Sequence, residues 1–380
     1  MKLQCLYASS TNSSDVLYLS GLQVPDPYLS IVAGRNKIAI VNQLEFARVQ
    51  KDSKYTKVFE SEALKKIILK ANPELKSQSQ FQLVYFIDYF YKLYRADSII
   101  IPQDFPSFLL IQLQSLNLPV TVVESSFFPL RERKNPLELK YIRQANRASA
   151  FGFKQVQAVL EASEIRSGRL YYAGSVLTSG RLRKIIELSL MEKGAVAQST
   201  IVAGGLQACD PHQVGYGPLR ANELIIVDIF PRLVSSGYHG DMTRTFLKGQ
   251  ASQAQRKLVQ TVRKAHKVAV GKIKAGVSSN SIHNLVCQCF DQAGYPTRKR
   301  RDSGAFEGFI HSTGHGLGLD IHEAPRVGPS KNRLIRDQVI TIEPGLYYPD
   351  LGACRIEDVY VVTEEGANKL SQFNYRWEIA

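Results

Sequence analysis

The chain has 380 residues, too many for one typical domain and enough for two with sizeable cores. Its hydrophobic fraction of 44% is ordinary for a globular protein and excludes a disordered or fibrous chain. A net charge of +14 would suit an acidic partner, but the basic residues are dispersed and no nucleic-acid motif accompanies them, so nucleic acid is not an expected partner.

Residues 1–12 lack the long apolar run of a secretory signal, and no window reaches the roughly 18 uninterrupted apolar residues of a membrane span. A cytoplasmic protein without membrane contact is the expectation. Residues 16–19 and 37–41 read as strands, 60–69 as a helix and 83–95 as a second helical stretch. Residues 98–102 and 120–123 read as further strands. Such alternation predicts a small α/β domain with a partly parallel sheet over residues 1–130. Arg131-Glu132-Arg133-Lys134 is mixed in sign and reads as a linker.

A second domain is expected over residues 137–380, entered at Asn135-Pro136, where proline fits the first helical turn. Helices are predicted over 137–158, over 178–193 with Gly194 at the end, and over 253–274 with Ser252 as N-cap. In the last of these, Leu258, Val262, Ala265, Ala269 and Ile273 form the apolar stripe. His266 and His283 are lone histidines on helical patterns and read as structural. Arg298-Lys299-Arg300-Arg301 reads as a solvated loop. Five cysteines, odd and sparse, make no disulfide framework and fit a reducing compartment.

Three acids sit in or beside runs that read as buried strands. Residues 224–230 are apolar except for Asp228, residues 339–342 are largely apolar up to Glu343, and 355–362 carry Glu357 near their start. Unpaired buried carboxylates are costly, so such groups are normally paired or bound to metal. Side chains alternate along a strand, so Arg355 and Glu357 share one face with Val359, and Glu343 shares one with Thr341. Cys354 then faces the other way. Ser235-Ser236-Gly237 predicts a hairpin that brings Asp228 and Asp241 to one point. Asp228, Asp241, Glu343 and Glu357 with His315 make a hard-to-borderline donor set, suited to one or two divalent ions such as manganese, cobalt, zinc or iron.

Residues 237–246 (Gly-Tyr-His-Gly-Asp-Met-Thr-Arg-Thr-Phe) resemble the second-aspartate motif of the pita-bread metallopeptidases. Residues 311–318, followed by His322-Glu323-Ala324-Pro325, resemble their histidine motif, and 341–347 and 355–358 their two glutamate motifs. Within the family the chain is most similar to the Xaa-Pro aminopeptidases and Xaa-Pro dipeptidases (prolidases). Residues 15–21 also resemble the opening of the creatinase-type N-terminal domain. The segment between Asp228 and Asp241, with Pro231 and Arg232, is longer than the family's usual one. The implied fold class is α/β (α+β), a small creatinase-type domain followed by a pita-bread catalytic domain.

The resemblance implies two divalent metal ions, manganese first with cobalt or zinc as alternatives. Asp241 and Glu357 would bridge them, Asp228 would hold one, and His315 and Glu343 the other. A water between the ions would attack the substrate, and Glu343 would take its proton. Gly316 and Gly318 would let the backbone approach the metals closely. His322 would hydrogen-bond the peptide rather than bind metal. His212 and His311 resemble substrate-contacting histidines, and Arg355 resembles an arginine that supports the ligands or the substrate. The implied reaction is hydrolysis of the bond before proline in a proline-containing peptide, with a homodimer as the implied assembly. Two other readings use the same fold: a binding module without peptidase activity, and creatinase-like hydrolysis without metal. Both sit poorly with a chain in which all five ligand positions are filled. Dipeptidase and aminopeptidase remain open alternatives at this point.

Overall fold

The computed structural model describes residues 1–77, 81–124, 126–300 and 304–380, and the chain divides into two units, Met1–Pro129 and Leu130–Ala380. In the first unit, β1 (Lys2–Ala8), β2 (Tyr28–Ala33), β3 (Asn36–Val41), β4 (Lys57–Glu60), β5 (Ser98–Pro102) and β6 (Val120–Val123) form one sheet of order β4-β3-β2-β1-β5-β6. The central β1-β2-β3 pairs are antiparallel and the outer pairs parallel, so the sheet is partly parallel as expected. Strand alternation splits its apolar residues between two cores: Leu3, Cys5, Ile38 and Ile40 enter one, and Leu6, Ala39 and Val41 the other. Helices α1 (Ser14–Ser20), α2 (Gln43–Asp52), α3 (Ser61–Ala71), α4 (Val84–Leu93) and α5 (Ser107–Ser115) complete the unit.

Residues 16–19 are helical, not a strand. Ser13 caps α1 by accepting from the Val16 N–H, and Gly21 ends it in the left-handed region at φ 65°. The cap and the burial of Val16, Leu17 and Leu19 on one short helix override the local β-propensity. The strands β1 and β2 and the helices α2 and α5 were not anticipated.

The second unit begins with α6 (Pro136–Glu161), entered through a capping box between Asn135 and Glu138. With α7 (Ser179–Met191), capped by Thr178, it packs a core against β7 (Ile201–Gly204), β8 (Ile225–Asp228) and β9 (Thr243–Lys248). A second helix pair, α8 (Gln253–Lys272) and α9 (Ser279–Gln292), packs on another set of strands. These are β10 (Gly314–Gly316), β11 (Glu323–Val327), β12 (Val339–Ile342), β13 (Gly345–Tyr348), β14 (Gly352–Arg355), β15 (Asp358–Val362) and β16 (Ala367–Lys369). Their sheet has the order β11-β10-β12-β15-β16, with β13-β14 as a separate hairpin. The stripe of Leu258, Val262, Ala265 and Ala269 is buried in this second core as its spacing predicts. Among the described residues no helix is long and apolar enough to cross a membrane.

Candidate metal centre

The antiparallel pairing of β8 with β9 sets Asp228 opposite Thr243, so Asp241 returns to the Asp228 end. The connection turns at Gly237, where φ is 78°, and closes with Leu233 N–H to Tyr238 O at 3.0 Å and Gly240 N–H to Pro231 O at 2.9 Å. The hairpin therefore forms despite its extra length. Gly240 lies against α6, where a Cβ would meet the Ala145 carbonyl carbon at 2.6 Å. That close approach lets the Asp241 N–H donate to Asn146 Oδ1 at 3.2 Å, which fixes the Asp241 backbone on the helix.

Glu343 follows β12, and its N–H donates to Thr313 O at 2.8 Å. Glu357 lies between β14 and β15. Its N–H donates to Thr243 O at 3.1 Å, and Thr243 Oγ1 donates to its Oε2 at 2.8 Å. Cys354, Ile356, Tyr360 and Val362 turn into the α8–α9 core, whereas Arg355 and Glu357 line the cavity. The parity read from the sequence thus survives the break between the two strands. His315 sits in β10, its N–H donating to Thr341 Oγ1 at 3.1 Å. Gly314 and Gly316 are needed because a Cβ would strike the carbonyl oxygens of Thr341 and Ala324 on the flanking strands, and a Cβ on Gly318 would crowd the Glu323 carboxylate. These glycines admit neighbouring backbone and a side chain.

Asp241, His315 and Glu357 each present a donor atom within 4.8 Å of the others. His315 Nδ1 donates to the Gly316 carbonyl at 3.0 Å, which leaves Nε2 facing Asp241 Oδ2 at 3.6 Å and Glu343 Oε1 at 3.7 Å. Burial, reinforced by His322, lowers the His315 pKa to about 4, so a neutral ring offers its Nε2 lone pair. Burial raises the carboxyls of Asp241, Glu343 and Glu357, and mutual repulsion adds to it; Glu357 rises to about 8. Asp228 gives Oδ2 to Arg355 Nη2 at 2.7 Å, while its Oδ1 is buried with no hydrogen-bond partner. Crowded carboxylates, an orphaned buried oxygen and a neutral imidazole lone pair fit divalent cations.

The five residues share a cavity of about 800 Å³ with His212, His311, His322 and Arg355. His322 is exposed, and its ring meets that of His315 edge-on with centroids 4.3 Å apart. His212 is also exposed. His311 is more constrained: Nδ1 donates to Ser312 O at 2.7 Å, and Nε2 accepts from Tyr347 OH at 2.8 Å. That hydroxyl in turn accepts from Arg355 Nη1 at 2.8 Å, so Arg355 ties Asp228 to His311 through Tyr347.

Sequence reasoning missed Tyr347, Thr243 and Arg326. The first two lie inside motifs already singled out, where their polar groups could have been followed. Arg326 lines the cavity four residues beyond His322, with Nε donating to Ser312 Oγ at 2.7 Å. The linker reading of residues 131–134 also needs correction. Arg131 pairs with Asp320 at 2.6 Å and Glu323 at 2.9 Å, and buried Lys134 pairs with Glu323, so these charges brace the segment that carries His322. Of the basic run, Arg298 and Arg300 pair with Glu307 across a short hairpin, and Arg301 lies outside the described residues.

Carboxylates and an imidazole converging on one cavity are the equipment of a metal-dependent hydrolase. Residues 140–364 match the model of metallopeptidase family M24, and the chain belongs to that family. It is a metallo-exopeptidase of the pita-bread fold, and the family implies divalent metal ions. It is 30% identical over 274 residues to the Xaa-Pro dipeptidase of Pyrococcus furiosus, covering 70% of this chain and 75% of that one. The solved prolidase from Pyrococcus furiosus superposes with a TM-score of 0.75 at 25% identity, over 98% of this chain and 96% of that one. The X-Pro aminopeptidase from Thermotoga maritima shares the fold with a TM-score of 0.80 at 20% identity, over 100% of this chain and 98% of that one.

Proposed function

We propose that the protein is an Xaa-Pro dipeptidase that uses two divalent ions, manganese foremost. The observation that carries the dipeptidase reading is Arg326, a cation on the wall of the cavity that holds Asp241, His315 and Glu357. A dipeptide ends in a carboxylate one residue beyond the cleaved bond, and a guanidinium recognises it by paired hydrogen bonds. A longer peptide carries a neutral amide there. The names of the relatives support the same substrate class. A homodimer in the cytoplasm, with Met1–Pro129 as a creatinase-type domain, is the setting this reading adopts.

Asp228, Asp241, His315, Glu343 and Glu357 would hold the ions. Bound divalent ions supply Lewis-acid polarisation of the scissile carbonyl and acidify a water. Glu343 would take the attacking water's proton on a carboxylate oxygen and return it to the prolyl nitrogen as the peptide bond breaks. His322 donates a hydrogen bond to the carbonyl oxygen as charge builds on it. Phe230, Val214, Ile310 and Ile321 give the apolar wall against which a prolyl ring packs. Arg355 and Tyr347 hold Asp228 and His311 in place.

The test compares Xaa-Pro dipeptides with Xaa-Pro-Yaa peptides on the manganese-loaded enzyme. Dipeptides should be preferred, and Arg326→Ala should lower kcat/KM for them by roughly 10-fold or more, chiefly through KM. Equal or better cleavage of longer peptides, unchanged in the variant, means an aminopeptidase instead. His322→Ala should keep its metals and lose about 10²-fold or more in kcat. Metal analysis beside the peptide assay checks this, and loss of metal would reverse the roles assigned to His315 and His322.

A further inference from the structure

We propose that a second cavity, behind β15 and beside α8, is a binding site for a small multivalent anion of the phosphate class. It has a volume of about 570 Å³ and is lined by Arg263, Lys264, His266 and Lys267 of α8 and by Lys369 and Tyr375. Ligand pockets for small molecules span roughly 300–1,000 Å³, so a phosphate or a phosphate monoester fits. On α8, Arg263, His266 and Lys267 fall at positions i, i+3 and i+4 and share a face.

The positive charge that α8 brings to this hollow is not neutralised from within. Among the described residues no carboxylate lines it. The acid beneath it, Asp358, is fully buried and already engaged. It accepts from Arg244 at 2.9 Å, Ser371 Oγ at 2.7 Å and Tyr375 OH at 2.6 Å, and pairs with Lys369 at 2.9 Å. Among the described residues, Arg263, Lys264 and Lys267 pair with no acid; Arg263 instead lies over the Tyr375 ring at 5.3 Å. Clustered cations without counter-charge repel one another, and a bound anion relieves that repulsion.

An independent observation points the same way. His266 is only 6% exposed and lines the cavity, yet its Nε2 is buried with no hydrogen-bond partner. The nearest acidic oxygen, on Asp358, is 3.6 Å away. That nitrogen is turned toward the buried acid, so Asp358 is committed from beneath to Arg244, Lys369 and His266 and leaves the α8 cations at the rim without a counter-charge. Arg263, Lys264, Lys267 and Lys369 around one hollow match a compact dianion with several acceptor oxygens. The pocket lies on the opposite face of the chain from Glu357, because Asp358 and Glu357 point to opposite sides. It is therefore distinct from the peptide cavity, and the inference does not rest on the dipeptidase reading.

Inorganic phosphate and a phosphate monoester share this chemistry, so both are used as probes. The manganese-loaded enzyme is titrated calorimetrically with inorganic phosphate, with AMP and with adenosine. Saturable binding of phosphate or AMP, but not of adenosine, is expected. AMP binding more tightly than phosphate identifies a monoester ligand, and equal affinity identifies phosphate itself. Lys264→Glu/Lys267→Glu should weaken binding by roughly 10-fold or more while leaving peptide hydrolysis without anion unchanged. Lys257→Glu/Lys272→Glu, the same charge change on α8 outside the cavity, should retain wild-type affinity. The proposal is overturned if wild type gives no saturable heat, if both double variants weaken alike, or if neither does; the last result puts the anion on the active-site metals.

Discussion

Glu357→Gln yields a folded protein that has lost at least one metal equivalent and roughly 10²-fold or more of its turnover. Glu357 is buried at 2% exposure, with Oε2 held by Thr243 Oγ1 and the rest of its carboxylate facing Asp241 and His315. Glutamine nearly preserves the shape but removes the negative charge and one acceptor oxygen. If its carbonyl takes the Thr243 hydrogen bond, its NH₂ group points at the ions. If it turns over, the NH₂ group abuts Thr243 Oγ1, which already donates to the site. Arg355, two residues away and buried at 3%, then adds positive charge that one fewer carboxylate offsets. The metal-free variant should be no less stable than metal-free wild type, because the carboxyl it replaces already has a pKa raised to about 8 by burial. In the presence of manganese the order reverses, since wild type gains stability by binding and the variant gains less. Metal stoichiometry, a peptide assay and melting curves with and without manganese check all three statements. Two bound equivalents with near-normal turnover would remove Glu357 from the bridging position.

The centre was more legible in the sequence than the first unit was, for a physical reason. Charged residues inside apolar strands are expensive, so Asp228, Glu343 and Glu357 signalled themselves by breaking a pattern. Strand parity then predicted which neighbours share their face, and Arg355 and Cys354 fall on opposite sides as expected. Residues 16–19 carried no such signal. Their sequence suits a strand, and only the Ser13 cap and the Gly21 stop make the segment a helix. The side chains that brace the site were harder to see because their partners are distant along the chain. Arg131 and Lys134 reach Glu323 across more than 180 residues, a pairing that no local pattern encodes. Arg326 looked like one basic residue among many until the fold placed it on the cavity wall.

Arg244→Ala should lower the melting temperature by about 6–20 °C while the metal ligands stay intact. Arg244 was visible only as part of a motif, but it is buried at 3% and makes five hydrogen bonds. It donates to the carbonyl oxygens of Thr243 at 2.9 Å, Glu357 at 2.7 Å, Phe373 at 3.3 Å and Asn374 at 3.1 Å, and to Asp358 Oδ1 at 2.9 Å. Its guanidinium also lies 4.5 Å from the centre of the Tyr375 ring. Removing it strands a fully buried carboxylate, a loss of roughly 3–5 kcal/mol, with Lys369 as the remaining cation to moderate it. The effect has a definite pH dependence. Burial alone would raise the Asp358 carboxyl, but Arg244 and Lys369 overcome it and hold the pKa at about 2, below the usual 3.8. The paired anion therefore stabilises the fold above pH 3.8, and that contribution fades as pH falls toward 2. The gap in melting temperature between wild type and Arg244→Ala should be full near neutrality and should narrow across that acid range. Arg244→Lys should not restore stability, because one ammonium cannot reach five acceptors spread over three segments. Because Arg244 also holds the Glu357 carbonyl, the variant's manganese affinity should fall as well. Scanning calorimetry from neutral to acid pH, beside a manganese titration, tests both, and an unchanged melting temperature would mean that Asp358 finds its partners without Arg244.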